Sequence, residues 1–323
     1  MRGSGSEEGA FYGRPCGNVP IRAPEPIPSG VPDPRPTAQL IDGKALAQTH
    51  RAALRQRIAA IRARGEPVRL DAILVGSGDN ASRVYAENQA KTCEAMGIDY
   101  RLHRLGDGAG FDDIAGRVLL LSSLDDVHAL MVHLPLPEGV DAYEVQRRIA
   151  PEKDVEGVNP ANIGNIVYGR SSLAPCTALA TVEMILSTGI DLKGKRVVVI
   201  GAGDVVGKPI AVLLMRHEAT VVSCNKFTWG IEDLARAADV LVAAAGVPEL
   251  VTPEWIKPGA VVVDVGVNRV AGADGTMRTV GDVAFEGASR VAGWISPVPG
   301  GVGPMTVAML LRNVVDAAER SMA

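Results

Sequence analysis

Arg196-Val-Val-Val-Ile-Gly-Ala-Gly-Asp-Val-Val-Gly-Lys-Pro-Ile-Ala-Val-Leu-Leu-Met215 is the stretch on which the fold turns. Its β-branched opening reads as a strand buried on both faces, and Ile210 to Met215 reads as helix. Between them Gly201, Gly203 and Gly207 let the backbone turn sharply, in a GxGxxxG spacing rather than GxGxxG. A strand, a glycine turn and a helix in that order aim helix N-terminal N–H groups at a pyrophosphate. The same spacing also suits a plain tight turn, so the flanking elements matter more than the glycines.

The rest of the chain supplies those elements. Apolar residues make up 47% and charged residues 22% of 323 residues, room for two domains with sizeable cores. A net charge of −4 and a pI near 5.8 argue against a nucleic-acid or acidic-membrane partner. No run nears the roughly 18 apolar residues of a membrane span. Cys16, Cys93, Cys176 and Cys224 are widely spaced without a metal-binding pattern, which points to free thiols in a reducing compartment, the cytoplasm.

Residues 1–36 are rich in proline and glycine without period, and read as a flexible arm, either native or in part an added leader at Met1-Arg-Gly-Ser-Gly-Ser6. No apolar signal segment occurs there. Helical spacing runs from Ala38 to Arg64. Strands are expected at Arg69 to Val75, Asp99 to Leu105 and Ala129 to Leu134, and a helix from Ser82 to Met96 capped by Asp79 or Asn80. After a polar segment come a helix from Ala178 to Ser187, the opening strand–glycine–helix unit, and strands at Thr220 to Ser223, Val240 to Ala244 and Ala260 to Val265. A helix from Met305 to Ser321 closes the chain. Strand–helix alternation predicts an α/β fold with a doubly wound parallel sheet.

Candidate chemistry clusters on a few residues. Ser82, Tyr85 and Gln89 share a helix face near a strand's carboxyl end, although Tyr85 could simply pack. His133 ends a strand where a group titrating near neutrality would face a cleft, or it is only a hydrogen-bonded structural histidine. Asp154 and Glu156 sit before a turn, which alone suits a solvated charge pair. HExxH, GxSxG and GKS/T patterns are missing, and no metal site is expected.

From about Ala38 onward the chain resembles the bifunctional methylenetetrahydrofolate dehydrogenase/cyclohydrolase family. The resemblance rests on Ser82-Arg-Val-Tyr85 with Lys91 and Cys93, Leu134-Pro-Leu-Pro137, Lys153-Asp-Val-Glu-Gly157, Pro175-Cys-Thr177, Val206-Gly-Lys-Pro209, Asp264-Val-Gly-Val-Asn-Arg269, Val280-Gly-Asp-Val283 and Pro297-Val-Pro-Gly-Gly-Val-Gly-Pro-Met-Thr306. It implies an N-terminal folate-binding α/β domain (37–176) completed by the C-terminal helix (300–323), with a Rossmann-type nucleotide domain (177–299) between. It further implies a homodimer and oxidation of 5,10-methylenetetrahydrofolate. Tyr85, Gln89, His133 and Glu156 fall at the reacting centre. Ser82, Tyr85 and the loop Pro299, Gly300, Gly301, Val302 fall at the folate. Thr177, Gly201, Ala202, Gly203, Asp204, Val206, Gly207, Asn225, Lys226, Gly246 and Val267 fall at the dinucleotide.

The departures from the family pattern lie on the chemistry. Gln89 stands where the family usually has lysine, His133 where it has glutamine, and Glu156 where it has aspartate. Lys91 is turned roughly 200° away from Gln89 along the helix. Glutamine hydrogen-bonds but cannot shuttle protons. The expectation is therefore dehydrogenation with weak or lost cyclohydrolase activity. Alternatives are a substitute acid–base pair of His133 and Glu156, a relative acting on another one-carbon substrate, or a non-catalytic folate or nucleotide sensor. Ala202-Gly203 replaces the family's arginine and serine at the 2′-phosphate, which favours NAD, while Lys226 could meet that phosphate, so NADP and NAD both stay open.

Overall fold

The computed structural model describes residues 38–76, 80–170, 173–271 and 276–322. In order these form β1 (Gln39–Leu40), α1 (Gly43–Arg62), β2 (Arg69–Val75), α2 (Asn80–Met96), β3 (Asp99–Leu105), α3 (Phe111–Ser122), β4 (Ala129–Val132), α4 (Ala142–Gln146), α5 (Pro160–Val167) and α6 (Cys176–Leu186). Then come β5 (Arg196–Ile200), α7 (Gly207–Met215), β6 (Thr220–Cys224), α8 (Ile231–Arg236), β7 (Val240–Ala243), β8 (Val261–Asp264), β9 (Asn268–Ala271), β10 (Met277–Val280), α9 (Phe285–Ala288), β11 (Trp294–Ile295) and α10 (Val302–Ser321).

Two parallel sheets result. The first has the order β3-β2-β4, and β2 is buried at every position, as a central strand covered on both faces must be. The second runs β1-β11-β8-β7-β5-β6 and is parallel throughout. In both, the chain reverses its direction of travel across the sheet: at β2 between β3 and β4, and at β5 between β6 and β7. Ligands bind outside the carboxyl ends of strands at such points. Here those ends are Val75, Val132, Ile200 and Ala243.

Helix starts follow local chemistry. The helix expected from Ala38 begins only at Gly43, because Asp42 Oδ1 accepts from Lys44 N and Ala45 N at 2.9 and 3.0 Å. The preceding Gln39 and Leu40 pair with Trp294 and Ile295 instead, so this segment lies in the second sheet before the first is built. The third strand stops at Val132, which leaves His133 just beyond it rather than in it. The last helix starts three residues earlier than expected, at Val302. Among the described residues, α3, α4, α5, α8 and the β9–β10 hairpin were not anticipated. The expected arm 1–36 and the cap at Asp79 lie outside the described residues.

Helix α10 packs on both α1 and α6, and ion pairs fasten the three helices together. Arg57 Nη2 meets Asp316 and Glu319, each at 2.6 Å, and Arg312 Nη1 meets Glu183 at 2.9 Å. Buried Asn313 donates to Val155 O and Ala174 O at 2.8 and 3.0 Å, tying α10 to the segment that joins the two sheets. No helix among the described residues is long and apolar enough to cross a membrane.

Candidate active site

The face of α2 that carries Ser82, Tyr85 and Gln89 lies against the end of β4. Ser82 Oγ donates to Leu134 O at 3.2 Å. The Tyr85 ring meets the His133 imidazole edge-on, with centroids 6.0 Å apart and planes at 80°. Partial burial pushes the Tyr85 phenol above its ordinary pKa although about half of the side chain stays exposed, and the charges of Glu156 and Cys176 add to this. Gln89 is 6% exposed; its Nε2 donates to Met131 Sδ at 3.1 Å, and its Oε1 is enclosed with no partner. Thioether sulfur is a weak acceptor, so this amide is poorly satisfied by the protein. An unpaired buried acceptor costs about 1–3 kcal/mol, which a ligand donor would recover.

His133 Nε2 sits 3.2 Å from the Tyr100 hydroxyl, and burial lowers the imidazole pKa to about 4. Glu156 follows Asp154, whose Oδ2 is fixed by Asn159 N at 2.7 Å and Asn162 Nδ2 at 2.9 Å. Burial and then the neighbouring Asp154 charge push the Glu156 carboxyl up to about 7, against a hydrogen bond from the Val132 backbone that favours the anion. Glu156 Oε2 is enclosed and unpartnered. Tyr85 thus contacts His133 and feels the Glu156 charge, Gln89 meets β4 at Met131, and Gln89 and Glu156 each present an acceptor without a donor.

The glycine turn after β5 has room for a ligand only because it lacks side chains. Gly201 has φ +109°, and a Cβ there would lie 2.0 Å from Ala244 O. A Cβ on Gly207 would lie 1.7 Å from Gly201 O, while one on Gly203 would meet nothing within 4 Å. The loop therefore packs tightly at its ends and stays open in its middle. This fits a dinucleotide cradle formed by Gly201, Ala202, Gly203, Val206 and Gly207. Asp204 pairs with Lys208 one helical turn on, so its carboxylate is spoken for.

Beyond β6, Asn225 Oδ1 accepts from Phe227 N and Thr228 Oγ1 accepts from Asn225 N, each at 2.9 Å. Asn225 thereby builds the turn, and Lys226 stands out from it with Nζ 5.0 Å from the Phe227 ring centre. No acidic side chain ends β6. Thr177 opens α6, its hydroxyl 3.5 Å from that of Thr306 on α10. Val267 is exposed, and Gly246 has φ +67°.

Two buried aspartates hold the loops around this cradle, and the sequence reading assigned them no role. Asp282 Oδ2 accepts from Ala245 N at 2.6 Å and Gly246 N at 2.8 Å, while Oδ1 accepts from Asn268 Nδ2 at 2.8 Å. Asp264 accepts from Gly266 N, Asp282 N and Val283 N at 2.9, 3.0 and 2.9 Å, yet burial still raises its pKa to about 6. The signal available in sequence was an aspartate beside a glycine in each of Asp264-Val-Gly266 and Gly281-Asp282.

Comparison with known proteins settles the relationship. A family model described as tetrahydrofolate dehydrogenase/cyclohydrolase, catalytic domain, matches residues 41–156, and its NAD(P)-binding domain counterpart matches 175–322. The chain belongs to the tetrahydrofolate dehydrogenase/cyclohydrolase family. It is 45% identical over 283 residues to the bifunctional protein FolD of Moorella thermoacetica, covering 88% of this chain and 99% of that one. The crystal structure of the Campylobacter jejuni bifunctional enzyme FolD superposes with TM-score 0.83 at 38% identity, over 88% and 99% of the two chains. The Trypanosoma brucei enzyme, solved with NADP cofactor and an inhibitor, gives 0.82 at 38% identity, over 89% and 99%. For a tetrahydrofolate dehydrogenase/cyclohydrolase member, the second match includes α10, which the sequence reading had placed with the folate domain. Physically α10 touches both, through α1 and α6.

Proposed function

We propose that the chain oxidises 5,10-methylenetetrahydrofolate to 5,10-methenyltetrahydrofolate with NADP, and that it hydrolyses the product weakly or not at all. The observation that carries this reading is Gln89, enclosed at the family's lysine position with only a sulfur for company. When bound, NADP supplies the hydride acceptor. Gly201, Ala202, Gly203, Val206 and Gly207 would hold its pyrophosphate, with Thr177, Gly246 and Val267 at the loops beside it. Lys226 would meet its 2′-phosphate, and no carboxylate ends β6 to grip a free ribose hydroxyl.

Each polar side chain then has a defined task. Tyr85, with Ser82 and the loop Pro299, Gly300, Gly301, Val302, orients the folate. Glu156 sits where positive charge builds on the one-carbon unit during oxidation, and its anion stabilises that charge. Substrate cation and carboxylate favour each other's charged forms, which draws Glu156 below its resting value near 7. Gln89 hydrogen-bonds the folate without moving a proton. His133, neutral down to about pH 4, excludes water and fixes Tyr85 without supplying charge. Hydration of the methenyl carbon needs a proton shuttle, and loss of such help costs about 10²–10⁴ in rate.

The division into a folate-binding part (37–176 with 300–323) and a nucleotide part (177–299) belongs to this proposal. So does a homodimer, supported by the open edge of β6 beside exposed Phe227 and Trp229. Free, buried Cys93, Cys176 and Cys224 support a cytoplasmic setting. The deciding experiment is turnover of 5,10-methylenetetrahydrofolate with NADP and with NAD, beside the decay of added methenyltetrahydrofolate. No reduction of either dinucleotide would overturn the reading. Rapid enzyme-dependent methenyl decay would overturn only the hydrolytic part and leave His133 and Glu156 as an acid–base pair.

A further inference from the structure

Strands β3 and β4 are not neighbours: β2 runs between them, so their backbones stand about 10 Å apart. Side chains that meet across such a gap must be long and share a face of the sheet. Tyr100 pairs with Leu70 and lies on the face of Leu70, Ala72, Ala129 and Met131, and His133 follows Met131 by two residues. The Tyr100 hydroxyl thereby comes within 3.2 Å of His133 Nε2. Gln89 of α2 meets the same row at Met131.

Which group donates follows from what else each can reach. Burial raises the Tyr100 phenol and lowers the His133 imidazole, so at neutral pH the pair is a phenol and a neutral ring with one N–H. Among the described residues the hydroxyl has no second partner, and His133 Nδ1 has none at all. With the proton on Nε2, the hydroxyl hydrogen would lack an acceptor and Nδ1 a donor. With the hydroxyl donating to Nε2, only the Nδ1–H is left over. Leaving one such group unpaired costs less than leaving two. The bond made by one ring nitrogen thus sets the proton on the other. Nδ1 points away from Tyr100 across the ring, and it is not sealed in as Gln89 Oε1 and Glu156 Oε2 are.

We propose that Tyr100 is a positioning residue that locks His133 as its Nδ1–H tautomer, and that this N–H is a fixed neutral donor to the ring system of the folate. The proposal rests on the folate reading above and adds to it the group that sets the polarity of His133. A pterin carries carbonyl and ring-nitrogen acceptors, which a neutral N–H recognises without burying a charge. Occupation of Nε2 has a second effect. The imidazole keeps no free lone pair with which to take a proton from water, so His133 holds the folate without acting as a base.

Heteronuclear NMR of the ligand-free full chain reads the tautomer directly. Nε2 adjoins two ring C–H groups and Nδ1 only one, so couplings identify the nitrogen that carries the proton. Among the five histidines, the His133 signals are those missing from His133→Leu. Wild type should carry the proton on Nδ1 alone, and Tyr100→Phe should show both tautomers. The same variant should raise KM for 5,10-methylenetetrahydrofolate by about three- to tenfold, the worth of one neutral hydrogen bond, and leave KM for NADP unchanged. Added to His133→Leu, Tyr100→Phe should change KM for the folate no further. A phenol that only fills space would leave tautomer and KM unaltered in Y100F, because the ring remains, and that result would overturn the proposal. So would a proton on Nε2 in wild type, or equal KM losses from Y100F with and without His133. If the tautomer is locked but wild type shows no thermal shift with methylenetetrahydrofolate, the folate reading falls and the donor loses its recipient.

Discussion

The Tyr100 hydroxyl lies 3.2 Å from His133 Nε2 while the Tyr85 ring meets the same imidazole edge-on, so two phenols cage a histidine that burial keeps neutral. The folded chain resists protonating His133 until about pH 4, whereas an unfolded histidine takes its proton near 6.5. In that window the unfolded state binds the extra proton, so stability is complete above pH 6.5 and falls on acidification toward 4. The gap corresponds to at most roughly 3 kcal/mol. His133→Gln should flatten this acid limb, as measured by urea unfolding at pH 7 and pH 5. An unchanged difference between the two pH values in the variant would rule the cage out as its source.

Glu156 bears the opposite sign. Its folded pKa near 7 lies above the ordinary 4.5, so the folded state holds a proton that the unfolded state has lost. Stability is therefore greatest below pH 4.5 as far as this group goes, and it declines as pH rises toward 7. Glu156→Gln should raise the Tm of the ligand-free protein at pH 8 by several degrees and leave it nearly unchanged at pH 4.5. The same variant should lower kcat for the oxidation by about 10² or more, because the charge opposite the developing cation is gone.

Gln89→Lys restores a proton-carrying group between α2 and β4. Enzyme-dependent decay of methenyltetrahydrofolate should rise by about 10²-fold or more over wild type. No gain in decay, in a variant that still reduces NADP, would show that Gln89 is not what limits hydrolysis.

Lys226 decides the dinucleotide. Lys226→Ala should raise KM for NADP by about ten- to a hundredfold and leave KM for NAD within about twofold. Equal losses with both would move the 2′-phosphate contact elsewhere.

Gly207→Ala tests the cradle itself. Its new methyl would fall 1.7 Å from Gly201 O, so the turn must open. Dinucleotide-induced thermal stabilisation should vanish, with an overpacking cost of about 1–3 kcal/mol to the free protein.

Much of this was legible in the chain. Ala72 to Val75 and Val197 to Ile200 are β-branched or aliphatic runs buried throughout, and continuous burial is what such runs announce. β1 and β11 have two residues each and no pattern to read; only their mutual pairing makes them strands. α3 and α5 did carry signals, an Asp113 that accepts from Gly110 N and an Asn159 cap before Pro160. At the site, helix spacing put Tyr85 and Gln89 on one face. The roles of Asp264 and Asp282 stayed hidden because, apart from the local bond to Gly266, their partners lie 14 to 37 residues away.

The pairing of Gln39 and Leu40 with the strand at Trp294 has a consequence for how the molecule comes apart. The front of the chain is stitched into the rear sheet, and the rear helix is bolted by Arg57 to the front helix. The two halves are thus clasped at both ends. A protease nick in the connecting stretch between Gly157 and Leu173 would sever the covalent thread without releasing either half, and the nicked protein should migrate as one particle until denaturant opens the clasps.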